Sequence, residues 1–428
     1  MKIRKKTYNI ITIGCQMNKS DSERIIYYLD NLGYKLLDNK YQADFIFLNT
    51  CGIRQSAENK IYSIVNNIKI KNPNAKIILT GCLVNRIDVR KRLKDEIDIW
   101  LPISNILDIK NLILEKNKKI VKADNCSYLK LKPKHSFKFS AFVPIGNGCN
   151  NFCSYCVVPY ARGREKYRSI DEIIKEVKSL VKNGYKEIIL IAQNVNSYQF
   201  KNKNFVDLLK MVSSISGNFW IRFFTSHPKD MSDELIKTIY KSKKICNHIH
   251  LPAQAGDDDI LKAMNRKYSI KHYKTLIKKI KKYMPNASIT TDIIVGFPGE
   301  TKKQFNNTVK LFKEIKFDMA YISKYSSRPG TVAEKLKDNV SQEEKKIREK
   351  KLINILNKTA FENNKKYLNK TVQILIKGKN KKGELYGKTR TNKNVKIKNN
   401  GLKLEDLIGK FVKVKIISTR EFILIAKF

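Results

Sequence analysis

From residue 6 to about residue 120, short apolar runs alternate with amphipathic stretches. YNIITIGC, DFIFLNTC, KIILTGC and IDIWLPI each read as a buried strand, and each precedes a segment of helical period. The first helix is predicted to open at Ser20, with Glu23 completing a capping box, and to stop at Gly33; others are predicted from about residues 55 and 86. Strands and helices in alternation form a parallel sheet, so residues 5–121 are expected to make a flavodoxin-like three-layer α/β domain. Residues 121–138, VKADNCSYLKLKPKHSFK, lack any period and read as a linker.

The βα rhythm then resumes, with strands predicted at about 140–145, 187–192, 219–225, 247–252, 288–295 and 318–325. SIDEIIKEVKSLVKNG, from Ser169, has a capping residue, Glu172 three positions later, one apolar face and Gly184 as its stop. Six such units suit an open, partial (βα)6 barrel better than the eight of a closed one, here assigned to residues 135–363. A Lys-rich helix over 341–367 leads into short β-rich runs with Gly-containing turns, so residues 364–428 are expected to form a small antiparallel β-barrel.

Charge narrows the choice of partner. The 428 residues carry 86 Lys and Arg against 39 Asp and Glu, a net charge of +47, which suits RNA, DNA or an anionic membrane face. Lys, Asn and Ile are abundant throughout, so part of this excess has a compositional origin in an AT-rich genome. The N-terminal apolar run is short and broken by Asn, Gly and Gln, unlike a signal peptide, and no run of about 18 apolar residues is present to span a bilayer. A cytoplasmic chain with no membrane contact is expected, and eight cysteines there are metal ligands or free thiols before they are disulfides.

Cys149, Cys153 and Cys156 are spaced CxxxCxxC and follow the first barrel strand, on the loop where barrel enzymes keep their chemistry. Thiolates suit zinc and iron-sulfur clusters alike. A structural zinc site is closed by four ligands, and no fourth Cys or His lies nearby in sequence. A 4Fe-4S cluster on three cysteines leaves one iron without a protein ligand, and an open site of that kind is favoured over zinc. Cys15, Cys51 and Cys82 each end an apolar strand of the first domain, one βα unit apart. Ligands gather outside the carboxyl ends of such strands, so these thiols are expected to meet; the alternative is ordinary buried cysteine. Cys126 and Cys246 have no partners in the pattern and are read as bystanders.

GCQMNKSDSE (14–23), NTCGIRQSAENK (49–60), CNNFCSYCVVPYARGRE (149–165), QNVNSY (193–198), FTSHPKD (224–230), LKAMNRKYS (261–269), TDIIVGFPGET (291–301) and YSSRPGT (325–331) occur in order. Together they resemble the radical S-adenosylmethionine methylthiotransferase family, and within it the tRNA enzymes of the MiaB type. The resemblance implies that Cys149, Cys153 and Cys156 hold a catalytic 4Fe-4S cluster whose open iron is chelated by S-adenosylmethionine. Tyr155, Gln193, Asn194, Gly296 and Gly299 are implied to lie against that cofactor. Cys15, Cys51 and Cys82 are implied to hold a second 4Fe-4S cluster that carries the transferred sulfur. The C-terminal barrel resembles a TRAM domain, and Lys377, Lys379, Lys381, Lys382, Lys388 and Arg390, interleaved with Tyr386 and glycines, are the candidate RNA contacts.

The implied reaction is methylthiolation of carbon 2 of N6-isopentenyladenosine 37 in a tRNA anticodon stem-loop. It calls for an electron donor such as a flavodoxin or ferredoxin and a sulfur or cluster donor; a monomer is expected. Relatives act on threonylcarbamoyl-adenosine or on a ribosomal protein, and a non-catalytic iron-sulfur protein that binds RNA or transfers electrons is the reading from another class. The chain departs from the family at Ala192, where glycine is usual, and at QAGDD (254–258), where QSGS is common.

Overall fold

Five strands, β1 (Thr7–Thr12), β2 (Lys35–Leu36), β3 (Phe45–Thr50), β4 (Lys76–Gly81) and β5 (Ile99–Trp100), form one parallel sheet in the order β2-β1-β3-β4-β5. This is the flavodoxin-like order that the apolar runs predict. The structure is a computed structural model and describes residues 6–52, 55–114, 124, 126–398 and 405–428. β3 and β4 are buried along nearly their whole length, as strands covered by helices on both faces must be.

The first helix spans Gln16–Asn31, with Cys15 at its N-cap, so it opens four residues before the predicted Ser20. Ser20, Asp21, Ser22, Glu23 and Arg24 are all buried. Their polar pattern imitates a cap, but the side chains serve tertiary contacts instead. Glu23, for example, accepts from the Ser136 amide at 2.9 Å and lies 3.2 Å from His135 Nδ1. Gly33, at φ +83°, does end the helix. Part of the predicted linker, like the expected domain bounds at residues 5 and 121, lies outside the described residues. The rest is no free linker: it carries a 3-10 turn, Ser127–Lys130, that buries Tyr128 and Leu129 in the first domain's core.

Six parallel strands follow: β6 (Ser140–Pro144), β7 (Glu187–Ile191), β8 (Trp220–Phe223), β9 (His248–His250), β10 (Ser288–Val295) and β11 (Met319–Lys324). They form two three-stranded sheets, β8-β7-β6 and β9-β10-β11, joined by a parallel bridge between Ile221 and Ile245. Helices cover the outside, and the largest apolar core lies between them and the strands. The Ile170–Lys182 helix is typical: Ser169 accepts from the Glu172 amide, and Ile173, Val177 and Leu180 are buried.

The Gln342–Lys365 helix, capped by Ser341, leads to a closed barrel of β12 (Thr371–Lys379), β13 (Leu385–Thr389), β14 (Asn394–Ile397), β15 (Phe411–Thr419) and β16 (Ile423–Lys427). Its order is β12-β13-β14-β16-β15, and β14 pairs with β16 in parallel. The all-antiparallel expectation fails there for a topological reason: five strands cannot close a ring with every neighbour reversed. No helix among the described residues is long and apolar enough to cross a membrane.

Candidate active site

Beyond β6 the chain turns at Gly148, at φ +86°, where an added Cβ would lie 2.2 Å from the Arg164 carbonyl oxygen. Only glycine fits that approach. The Gly148 amide donates to Gln193 Oε1 at 2.7 Å, so Gln193, just past β7, fixes the start of the cysteine loop. Further straps hold the loop open as a shell: Cys149 N to Gly163 O at 3.1 Å, Ser154 N to Met264 O at 3.1 Å, and Asn265 Nδ2 to Phe152 O at 2.8 Å. Two donors face sulfur, Asn151 Nδ2 at 3.5 Å from Cys149 Sγ and Arg266 Nη1 at 3.4 Å from Cys153 Sγ.

Burial pushes the Cys149 thiol up to about 11, and burial with repulsion from Cys153 pushes Cys156 up to about 12. Thiols so placed ionise only when a strong positive charge arrives, which is what iron supplies. Among the described residues no three Cys, His, Asp or Glu side chains converge as ligands of one ion. A cubane asks for something different, since each thiolate meets its own iron. The donors to sulfur and the strapped, concave loop fit such a cluster.

Cys15, Cys51 and Cys82 stand just past the carboxyl ends of β1, β3 and β4, neighbours in the sheet. An added Cβ on Gly14 would touch Cys51 Cβ at 3.0 Å, and one on Gly52 would lie 3.5 Å from Cys82 Cβ, so the three turns are in mutual contact. The Cys15 thiol donates to Asn18 Oδ1 at 3.4 Å, and the same oxygen accepts from Arg162 Nη2 at 3.1 Å. Arg162, six residues after Cys156, also pairs with buried Asp21 at 2.8 Å and donates to Asn147 Oδ1 at 3.1 Å. One guanidinium thus ties the turn of one triplet to the loop of the other.

Two cavities open beside the triplets. The first, about 510 Å³, is bounded by Tyr155, Cys156, Gln254, Asp292 and Ile294 and reaches Gly52 of the first domain. Past β7 and β8, Asn194 Oδ1 and Ser226 Oγ are buried with no hydrogen-bond partner among the described residues. Both lie past the ends of adjacent strands, and orphaned polar atoms there suit a polar ligand. Asn194 Nδ2 is already held by Asp230 at 2.8 Å. Gly296 and Gly299 form the turn after β10, but the close approach at Gly296 is to Lys345, whose Cγ lies 2.4 Å from a hypothetical Cβ. The Gly299 amide donates to Asn339 Oδ1 at 2.8 Å. Of the departures from the family pattern, Asp257 caps the Asp258–Ala263 helix and accepts from Asn307 Nδ2 at 2.8 Å, a structural duty.

The second cavity, about 470 Å³, runs inside the strand curve from Cys15 to the C-terminal barrel, where Lys377, Lys388 and Lys393 border it. Lys377 pairs with buried Glu187, which also takes Arg222 at 2.8 Å. Arg390 donates to the carbonyls of Lys243 and Ile245, and Arg222 donates to Thr389 O at 2.7 Å and Arg390 O at 3.0 Å. Trp220 and Phe411 rings meet at 4.6 Å. Lys377 and Arg390, expected on an RNA-facing surface, therefore bolt the barrel to the strands. Lys381 and Lys382 are exposed; Lys379, also exposed, pairs with Glu405. The Lys388 ammonium makes no hydrogen bond or ion pair among the described residues, and burial with repulsion from Arg222 pushes it down to about 8.

This sorting predicts separable effects. The double substitution K381Q/K382Q lowers the log-log salt slope of RNA binding by about 1.4 while leaving the melting temperature unchanged. Lys377→Gln does the reverse, lowering stability with the slope intact, because buried Glu187 loses one of its two cationic partners. Salt titration and thermal unfolding of the same proteins check both.

Sequence reasoning missed Arg162, Asn18 and Asp21, although all three lie in the motif segments quoted above. Their signal was a charged run beside each cysteine turn, which from sequence looks like solvent-facing polarity.

Residues 7–101 match the uncharacterized protein family UPF0004, residues 143–312 the radical SAM superfamily and residues 365–428 the TRAM domain. With the two cysteine triplets, these define a radical S-adenosylmethionine protein that bears a TRAM domain. A tRNA-2-methylthio-N(6)-dimethylallyladenosine synthase of Clostridium tetani is 43% identical over 98% of this chain and 96% of its own length. One from Alkaliphilus oremlandii is 40% identical over 97% and 91%. The chain belongs to the tRNA-2-methylthio-N(6)-dimethylallyladenosine synthase family. In fold it is similar to the radical S-adenosylmethionine methyltransferase TsrM of Kitasatospora setae, with a TM-score of 0.56, 12% identity and 77% of each chain covered.

Proposed function

We propose that this protein transfers a methylthio group to carbon 2 of N6-isopentenyl (dimethylallyl) adenosine 37 of tRNA, using two S-adenosylmethionine molecules and two 4Fe-4S clusters. The observation that carries the reading is the pair of cysteine triplets tied through Asn18 and Arg162, with one cavity at each. Cys149, Cys153 and Cys156 would hold the cluster that binds S-adenosylmethionine, and Cys15, Cys51 and Cys82 the cluster that carries the sulfur. When bound, these groups supply a 5′-deoxyadenosyl radical and the methylthio group.

The chain's own residues position and shield. Gln193 sets the loop's entry turn through the Gly148 amide, and Asn194 Oδ1 is left to accept from the cofactor. Tyr155 walls the cofactor cavity. Gly296 and Gly299 shape the turn after β10 and act on the cofactor through it. The sulfur-facing donors Asn151 and Arg266 stabilise thiolate charge.

The TRAM domain, proposed as residues 364–428 beside a first domain of 5–121 and a radical domain of 135–363, would hold the anticodon stem-loop. A single-stranded loop base can be splayed into the barrel at little cost, whereas a paired base costs a few kcal/mol to extract. A flavodoxin- or ferredoxin-like reductant, a sulfur donor, a monomeric state and the cytoplasm complete the proposal. The deciding assay offers the reconstituted enzyme a mixture of tRNAs bearing isopentenyl- or threonylcarbamoyl-adenosine and reads nucleosides by mass spectrometry. Methylthiolation of the isopentenyl nucleoside is expected; preference for the other would overturn the substrate assignment.

A further inference from the structure

The cavity that runs from Cys15 is walled by rings from three strands, with a threonine hydroxyl of the fourth bridging two of them. Phe224, just past β8, lies 5.4 Å from the His248 ring on β9. Thr290 Oγ1 on β10 lies 2.9 Å from His248 Nε2 and 3.0 Å from His250 Nδ1. The His250 ring meets Tyr321 of β11 edge to face, at 6.1 Å and 72°. His250 Nε2 is in turn 3.4 Å from Asp292 Oδ2, which fixes the imidazole against this wall.

Tyr321 is the unusual member. It sits on a barrel strand between buried Ala320 and half-buried Ile322, yet 49% of its surface is exposed. A tyrosine that only filled the core would be covered. It also borders both cavities, the one that begins at Cys15 and the one beside Cys156. A flat molecule resting on this ring therefore lies between the two cysteine triplets.

We infer that Tyr321 is the stacking face for the target nucleobase, which enters the barrel and is held against the ring wall with one edge toward each triplet.

The surrounding charge favours a nucleotide over a protein side chain as the occupant. Arg222 and Lys377 are satisfied by Glu187, and Lys393 by Asp318 at 2.6 Å, which leaves Lys388 as the cavity cation without a partner among the described residues. A cavity that holds both an exposed ring and an ammonium without a partner suits a base with its attached phosphate. Burial and the nearby His250, Arg222, Lys388 and Lys393 hold His248 neutral, so the wall adds no competing positive charge at that point. A volume of about 470 Å³ lies in the range that encloses small organic ligands.

This inference rests on the proposed substrate, and the test separates the two. Full-length reconstituted protein is titrated with an anticodon stem-loop carrying isopentenyladenosine at position 37 and with the same loop abasic there. Wild type should prefer the intact loop by roughly five- to 150-fold, the span expected for one base stacked on an aromatic ring. Tyr321→Phe should keep that preference. Tyr321→Leu, which retains apolar bulk without a π face, should lose most of it while binding the abasic loop as wild type does. Tyr321→Ala should match Leu, and the Leu variant decides the matter if the Ala variant fails to fold. A Leu variant that still discriminates as wild type does would overturn the stacking role and leave the substrate reading standing. Equal binding of both loops by wild type would overturn the substrate reading itself.

Discussion

Replacing Cys149, Cys153 or Cys156 by Ala abolishes reductive cleavage of S-adenosylmethionine, while replacing Cys15, Cys51 or Cys82 leaves that cleavage measurable and stops methylthio transfer. The two sets stand on different scaffolds. The first is a loop strapped to Gly163, Met264 and Asn265 of the barrel domain, the second the ends of β1, β3 and β4. Each loop thiolate would meet a different iron, so losing any one forfeits the open cluster. The first-domain thiols do not contribute to the straps. The readouts are 5′-deoxyadenosine formed under reducing conditions and methylthio nucleoside from the same reaction. Wild-type 5′-deoxyadenosine from a mutant of the first set would sink the assignment.

Arg162→Met is expected to destabilise the protein by ~3–5 kcal/mol, the usual cost of leaving one partner of a buried ion pair alone. Arg162 and Asp21 are 2% and 0% exposed and 2.8 Å apart, so solvent screens neither. After the substitution the Tyr128 hydroxyl, 2.9 Å away, still donates to the buried Asp21 carboxylate, but its guanidinium counter-charge is gone. Asn18 Oδ1 also loses its guanidinium, so the Cys15 turn loosens along with the contact between domains. Denaturant unfolding of the single variants and of Asp21→Asn with Arg162→Met tests this. The double variant should cost less than the sum of the singles, because the stranded carboxylate is gone. A cost below about 1 kcal/mol for Arg162→Met would show that the pair does not hold the domains together.

The parts readable from sequence are those that local period encodes. β3 and β4 appear as apolar runs because both faces are covered, and Ser169 and Ser341 cap helices through amides three residues away. Cys15, Cys51 and Cys82 could be grouped because a parallel sheet places equivalent strand ends side by side.

Burial of polar residues follows another rule, since it depends on what another segment brings from far along the chain. Ser20 and Glu23 look like a helix cap, yet Glu23 meets His135 and Ser136, more than 100 residues away. Lys377 and Arg390 read as RNA contacts until Glu187 and the carbonyls of Lys243 and Ile245 lie beneath them. Tyr321 reads as one more apolar strand residue, and only the cavities on either side of it reveal an exposed ring. The elements and cysteine spacing were therefore legible in the chain, because helix and strand periods are local. Which charges bolt domains together, and which ring faces the chamber, was decided by tertiary packing, because a buried charge or an exposed aromatic is defined by distant neighbours.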